Sequence, residues 1–176
     1  MAQLDTKQKI RKKRLRSIFQ VLGYEDVEAM IKRLNFFENS FNKSGSFKNY
    51  LEVINSNGTL VVIDHKTGLM WHKAGAPKPM NFDKARKWLA SLKSKRYAGF
   101  SNWRFPTLEE AASLLEQSKN KNGLHIDPTF TGSQRHTWTG DRFGSTKRWG
   151  VRFNEGIVYG YSMRKKLSLR PVRKVK

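Results

Sequence analysis

The spacing of apolar positions changes along this chain, and each change marks an element. Leu15, Ile18, Phe19 and Leu22 stand at i, i+3, i+4 and i+7. That spacing gives one helical face and predicts a helix over residues 6–22, closed by Gly23. Val27, Met30, Ile31 and Leu34 predict a second helix from about Glu25 to Leu34. Its acids Glu25, Asp26 and Glu28 sit at the positive end of the helix dipole, and Lys32 and Arg33 near the negative end. The period is then lost. Residues 39–49, "NSFNKSGSFKN", are rich in Asn, Ser and Gly and read as a linker.

Strand signals follow. "TLVVID" (Thr59–Asp64) is a β-branched run, "HKTG" a turn and "LMW" a second strand. Asn81 can cap a helix from Phe82 to about Leu92, in which Phe82, Ala85, Trp88, Leu89 and Leu92 form the apolar face. "TWTGD" (Thr137–Asp141) reads as a strand. In "WGVRFNEGIVYGY", Trp149, Val151 and Phe153 alternate with smaller or polar residues, as do Ile157, Tyr159 and Tyr161 beyond the Asn154–Gly156 turn. That is a hairpin. "LSLRPVR" (Leu167–Arg173) predicts the closing strand, placed at an edge or bulged because Pro171 lacks an N–H.

The segment "SNWRFPTLEEAASLL" (Ser101–Leu115) gathers a tryptophan, an arginine and a proline before a helix. Thr107 and Glu110 form a capping box, each side chain reaching the other's backbone N–H. Pro106 biases Phe105 toward an extended shape. Trp103 and Phe105 are apolar anchors, and Arg104 can bond to loop carbonyls or an acid. No nucleophile stands beside a base, so the segment is expected to serve architecture.

Composition narrows the rest. A chain of 176 residues suffices for one compact domain and an extension, and 21 aromatic side chains can fill its core. There is no cysteine, which excludes disulfides and thiolate metal sites. No secretory leader or membrane span is expected, and the location expected is cytoplasmic. The four histidines, His65, His72, His125 and His136, form no HExxH pattern, and neither a metal nor another cofactor is expected. No GxSxG elbow or phosphate-cradling glycine pattern appears, so an enzyme is not expected.

Charge is the strongest signal. Lys and Arg number 35 against 14 Asp and Glu, a net charge of +21. Residues 151–176 hold 8 basic and 1 acidic side chain, residues 101–150 hold 7 and 5. Such an excess favours a polyanionic partner. Two clusters are candidates for phosphate contacts. One is Lys9, Arg11, Lys12, Lys13, Arg14 and Arg16. The other is Arg164, Lys165, Lys166, Arg170, Arg173 and Lys174. Tyr159 and Tyr161 lie near the second in sequence. They suit either stacking on unpaired bases or packing inside the hairpin.

In order along the chain, "VIDHKTGLMW", "AGFSNWRFPTLEEAASLLE", "IDPTF", "TWTGD", "WGVRFNEGIV" and "LRPVR" together resemble the Lcl C-terminal domain family, over roughly Leu51 to Arg173. The family usually has Leu where Phe105 stands, and often "WSS" where Trp138–Thr139–Gly140 stands. The resemblance implies a C-type-lectin-like α+β fold, akin to formylglycine-generating enzymes and retroelement-diversified binding proteins. Its members are mostly binding modules, and the founding one adheres to sulfated glycans. Formylglycine-type catalysis needs cysteines and does not transfer.

The expectation is therefore α+β: a lectin-like domain with two helices and a small antiparallel sheet over residues 51–176. A basic helical extension and linker would precede it over residues 1–50. The expected function is non-enzymatic binding of a polyanion, RNA rather than DNA, or a ribonucleoprotein within a larger assembly. The alternative is a ligand- or protein-display module using loops between Gly132 and Arg148 and around Tyr159 to Lys166.

Overall fold

A computed structural model describes residues 12–130 and 134–175. Among them the fold is α+β, with three α-helices, two of them within residues 51–176 as expected, and two antiparallel sheets rather than one. The chain runs α1 (Tyr24–Leu34), β1 (Leu51–Ser56), β2 (Thr59–Asp64), β3 (Leu69–His72), α2 (Phe82–Ser94), α3 (Leu108–Ala112), β4 (His136–Phe143), β5 (Lys147–Arg152), β6 (Ile157–Ser162) and β7 (Val172–Lys174). A single 3-10 turn, Tyr97–Gly99, separates α2 from the approach to α3.

The four-stranded sheet has the order β1-β2-β3-β7, and the other β4-β5-β6. Both faces of the first sheet are covered. On β2, Val61 enters one apolar cluster and Val62 the other; on β3, Met70 faces the first of these and Leu69 and Trp71 the second. Period-two alternation thus feeds two cores, which is why "LMW" is apolar throughout. One core is built with Phe82, Ala85, Leu89 and Leu92 of α2 and with Trp103, Trp138 and Leu169. The other takes α1, α3, Trp149, Phe153 and Phe130.

The opening of the chain differs from expectation. Residues 12–22, the described part of the predicted basic helix, are not helical. They form an extended strap whose donors are taken by distant acceptors. The Lys13 N–H reaches the Lys66 carbonyl at 2.7 Å, and the Leu22 N–H the Arg142 carbonyl at 2.9 Å. Only Leu15 of the predicted apolar face is buried; Ile18 and Phe19 are exposed. Nor do residues 39–49 stand apart. Phe47 packs edge-on against Phe36 with ring centroids 4.9 Å apart, and Asn49 donates to the Ser113 carbonyl at 2.7 Å. Residues on both sides of position 50 share one core.

The segment before α3 holds the two sheets together. Trp103 is fully buried and its Nε1–H donates to the Tyr97 carbonyl at 2.9 Å. Arg104 forms a bidentate pair with buried Glu110, both bonds 2.7 Å, and its backbone bridges to Val172 of β7. The capping box of Thr107 and Glu110 is formed. Opposite it, β4 carries a bulge in which Thr139, Gly140 and Asp141 face the single residue Trp149. A bulge frees backbone groups and re-aims side chains. Here the Gly140 N–H donates to the Pro106 carbonyl at 2.9 Å, and Asp141 turns inward to accept the Leu108 N–H at 2.6 Å.

Candidate polyanion-binding surface

Seven of the twelve predicted cations lie at the surface, in two groups. Lys12, Lys13, Arg14 and Lys174 line one cleft of about 280 Å³, together with Leu15, Thr67, Gly68, Leu69 and Val175. Backbone pairing builds this cleft. The strap is fixed by Lys13 to Lys66, and Val175 donates to the Gly68 carbonyl at 3.0 Å. The tight turn between β2 and β3, with Gly68 at φ 69°, thus receives the strap on one side and the end of β7 on the other. No acidic residue lines the cleft, and none of its four cations is in a salt bridge among the described residues. Lys66, on the same turn, is a fifth cation beside it that sequence spacing does not reveal.

Arg164, Lys165 and Lys166 form the second exposed group, in the turn after β6. It sits against the start of α2, where the Phe82 N–H donates to the Met163 carbonyl at 3.0 Å. Eight residue steps along the chain, from Lys166 to Lys174, separate the two groups, at most about 29 Å if extended.

Three predicted contacts point inward instead. Arg16 forms a bidentate pair with fully buried Asp141, at 2.8 and 2.7 Å. Burial opposes its charge, but the bond to Asp141 and the nearby Glu109 and Glu110 outweigh this and raise its pKa. Arg170 is buried, donates to the carbonyls of His72 and Lys73 and lies over the Phe130 ring at 4.7 Å. Burial depresses its pKa. Arg173 is buried over Phe100 at 3.7 Å, with Nε donating to Asn102 at 2.8 Å. Arg16 turns inward from a surface strap to reach Asp141, whereas Arg170 and Arg173 lie on a closing segment that is itself buried. Lys9 and Arg11 lie outside the described residues.

The tyrosines divide. Tyr161 is buried, and burial pushes its hydroxyl up to about 12. Tyr159 is exposed, with the Arg152 guanidinium 5.5 Å from its ring.

The histidines are held separately. His65 bonds to Glu52 at 2.6 Å, His125 to the Glu116 carbonyl at 2.8 Å, and His136 Nδ1 accepts the Ser168 N–H at 3.2 Å. No group of three or more potential metal ligands occurs among the described residues. No helix there is long and apolar enough to cross a membrane.

His72 stacks on Tyr97, centroids 4.1 Å apart, and its Nδ1 accepts the Gly75 N–H at 2.9 Å. A proton on Nδ1 would face that donor. Burial, then the charge of Arg170, pushes the imidazole from 6.5 down to about 4. Between these values the unfolded chain binds a proton that the folded chain refuses. Stability is therefore complete above about pH 6.5 and falls toward pH 4, by on the order of 3 kcal/mol from this group. Melting His72→Asn beside the parent from pH 7 to pH 4 should show a shallower decline in the variant; equal slopes would refute the assignment.

Comparison with known proteins adds one positive result. A family model matches residues 60–173, and it is that of the Lcl C-terminal domain. No curated protein matches.

Proposed function

From the membership of this chain in the Lcl C-terminal domain family, we propose that it is a non-enzymatic binding protein of C-type-lectin-like fold whose partner is a polyanion, most favourably RNA or a ribonucleoprotein in the cytoplasm. The observation that carries this reading is the acid-free cleft flanked by Lys12, Lys13, Arg14 and Lys174. Cations from both ends of the described chain converge there, and none of them is in a salt bridge among the described residues. A net charge of +21 extends the attraction beyond the cleft. Arg164, Lys165 and Lys166 offer a second anchor, and one polymer can span both. Exposed Tyr159 beside Arg152 supplies a stacking face suited to an unpaired base. Recognition then rests on backbone charge and shape.

The test is a fluorescence-polarisation titration with a single-stranded RNA of about 20 nucleotides at several salt concentrations. Neutralising 6–10 phosphates of a single strand gives a slope of log affinity against log salt of roughly −4 to −7. Combining Lys12→Glu, Lys13→Glu and Lys174→Glu should weaken binding at least about tenfold and flatten the slope. A salt-independent affinity, or a triple variant that binds as the parent does, would end this reading.

A second reading, display of a variable binding surface, draws on one arrangement. The β4–β5 turn at Gly144–Thr146 and the basic turn after β6 lie at the same end of the three-stranded sheet, since Lys147 pairs with Ser162. Tight binding of a protein partner that survives high salt would favour it.

A further inference from the structure

A second cavity, unrelated to the terminal cations, opens on α2. Its volume is about 450 Å³, in the range that holds a small molecule. Phe19, Phe82, Leu89 and Phe105 supply apolar walls. The rings of Phe82 and Phe105 lie 5.0 Å apart at 32°. Phe19 comes from the strap, and its ring lies over Gly140, where a Cβ would approach it to 2.3 Å. The remaining polar lining is cationic throughout: Arg86, Lys93 and Arg148.

These cations are poorly compensated. Arg148 lies over the Phe82 ring at 4.7 Å and donates to the Gly140 carbonyl at 3.0 Å. Its pKa is depressed, by burial first and then by the charges of Arg142 and Arg86, with Asp141 partly opposing. Asp141 itself is committed to Arg16. Among the described residues Arg86 pairs only with Asp83, 3.9 Å away with both side chains largely in water, a pair worth little. Three like charges around an aromatic floor are complementary to a ligand with a flat apolar body and one acidic group.

We propose that this cavity is a binding site for a small aromatic anion, its ring system against Phe19, Phe82 and Phe105 and its acid at Arg86, Lys93 and Arg148. An aryl carboxylate or sulfonate and a mononucleotide share this chemistry. The site stands independently of the polyanion cleft, and the charges of Lys12, Lys13 and Lys174 take no part in it.

The test uses the full chain and two fluorescent probes with the same aryl body. 1-Anilinonaphthalene-8-sulfonate carries the acid; N-phenyl-1-naphthylamine lacks it. The sulfonate should bind at one site, with the neutral probe at least about tenfold weaker. Ala90→Trp, from an exposed position in the cavity lining, should abolish sulfonate binding. Arg86→Glu with Lys93→Glu should bring the sulfonate to the level of the neutral probe, with the melting temperature held close to the parent's in both variants. Displacement of the probe by 1-naphthoate assigns a free aryl acid, and displacement by uridine monophosphate a nucleotide. Equal binding of the two probes, undiminished binding in both variants, or displacement by neither competitor would overturn the proposal.

Discussion

Asp141→Ala should lower the unfolding free energy by about 3–5 kcal/mol, the usual cost of breaking a buried ion pair from one side. The carboxylate is fully buried and serves four donors: both terminal nitrogens of Arg16, the Gln20 N–H at 2.6 Å and the Leu108 N–H at 2.6 Å. Its loss leaves Arg16 partly buried without its paired carboxylate and orphans the Leu108 N–H in the first turn of α3. For a chain of this length the melting temperature should fall by roughly 6–20 °C. Asp141→Asn keeps the volume but must aim an amide N–H₂ at one of these donors, so it should recover little. Arg16→Met should cost less, because Asp141 keeps its two backbone donors. Thermal melts of the three variants, with limited proteolysis within residues 12–22, check this. An Asp141→Ala protein that melts within about 2 °C of the parent would show that the strap is not held by this pair.

Trp103→Ala should cost a similar 3–5 kcal/mol, through lost apolar contact and the cavity left behind. Trp103 is fully buried, sits edge-on to Tyr97 at 5.6 Å and bonds to its carbonyl. Tyr97 in turn stacks on His72. The truncation thus unpacks three aromatic rings and loosens the approach to Arg104. Trp103→Phe keeps most of the volume and loses one hydrogen bond, about 1–2 kcal/mol. The discriminating measurement pairs denaturant unfolding with RNA affinity. An architectural Trp103 predicts that Trp103→Phe lowers stability and leaves RNA affinity unchanged. Lost affinity at parental stability would make this segment a binding site instead.

These two residues show what the sequence discloses and what it hides. The segment around Trp103 was readable because its signals are local. The Thr107–Glu110 box spans four residues, and Pro106 acts on its neighbour. The same holds for the β5–β6 hairpin, for Asn81 capping α2 at 2.9 Å, and for strands β2 and β3. The structure holds Pro171 to the position just before β7, an edge strand of its sheet. The strap is not legible locally because its partners are remote. Leu15, Ile18, Phe19 and Leu22 have helical spacing, but their segment finds acceptors on Asp141, Glu109 and Lys66, which no local window contains. β1 escaped notice because it is a largely exposed edge with a mixed pattern, "LEVINS". Arg170 and Arg173 look like part of a basic surface, yet they follow Leu167 and Leu169 into the interior. Gly140, within the strand read over Thr137–Asp141, lies buried in the β4 bulge. There it leaves room for Phe19, a relation invisible without coordinates.

The bond between Arg16 and Asp141 spans 125 residues. On a ribosome adding about 5–20 residues per second, Arg16 emerges roughly 6–25 s before its acceptor does. A segment made early is therefore among the last to dock. Throughout that wait its cations and the apolar side chains of Leu15, Ile18 and Phe19 stay accessible to whatever the nascent chain meets.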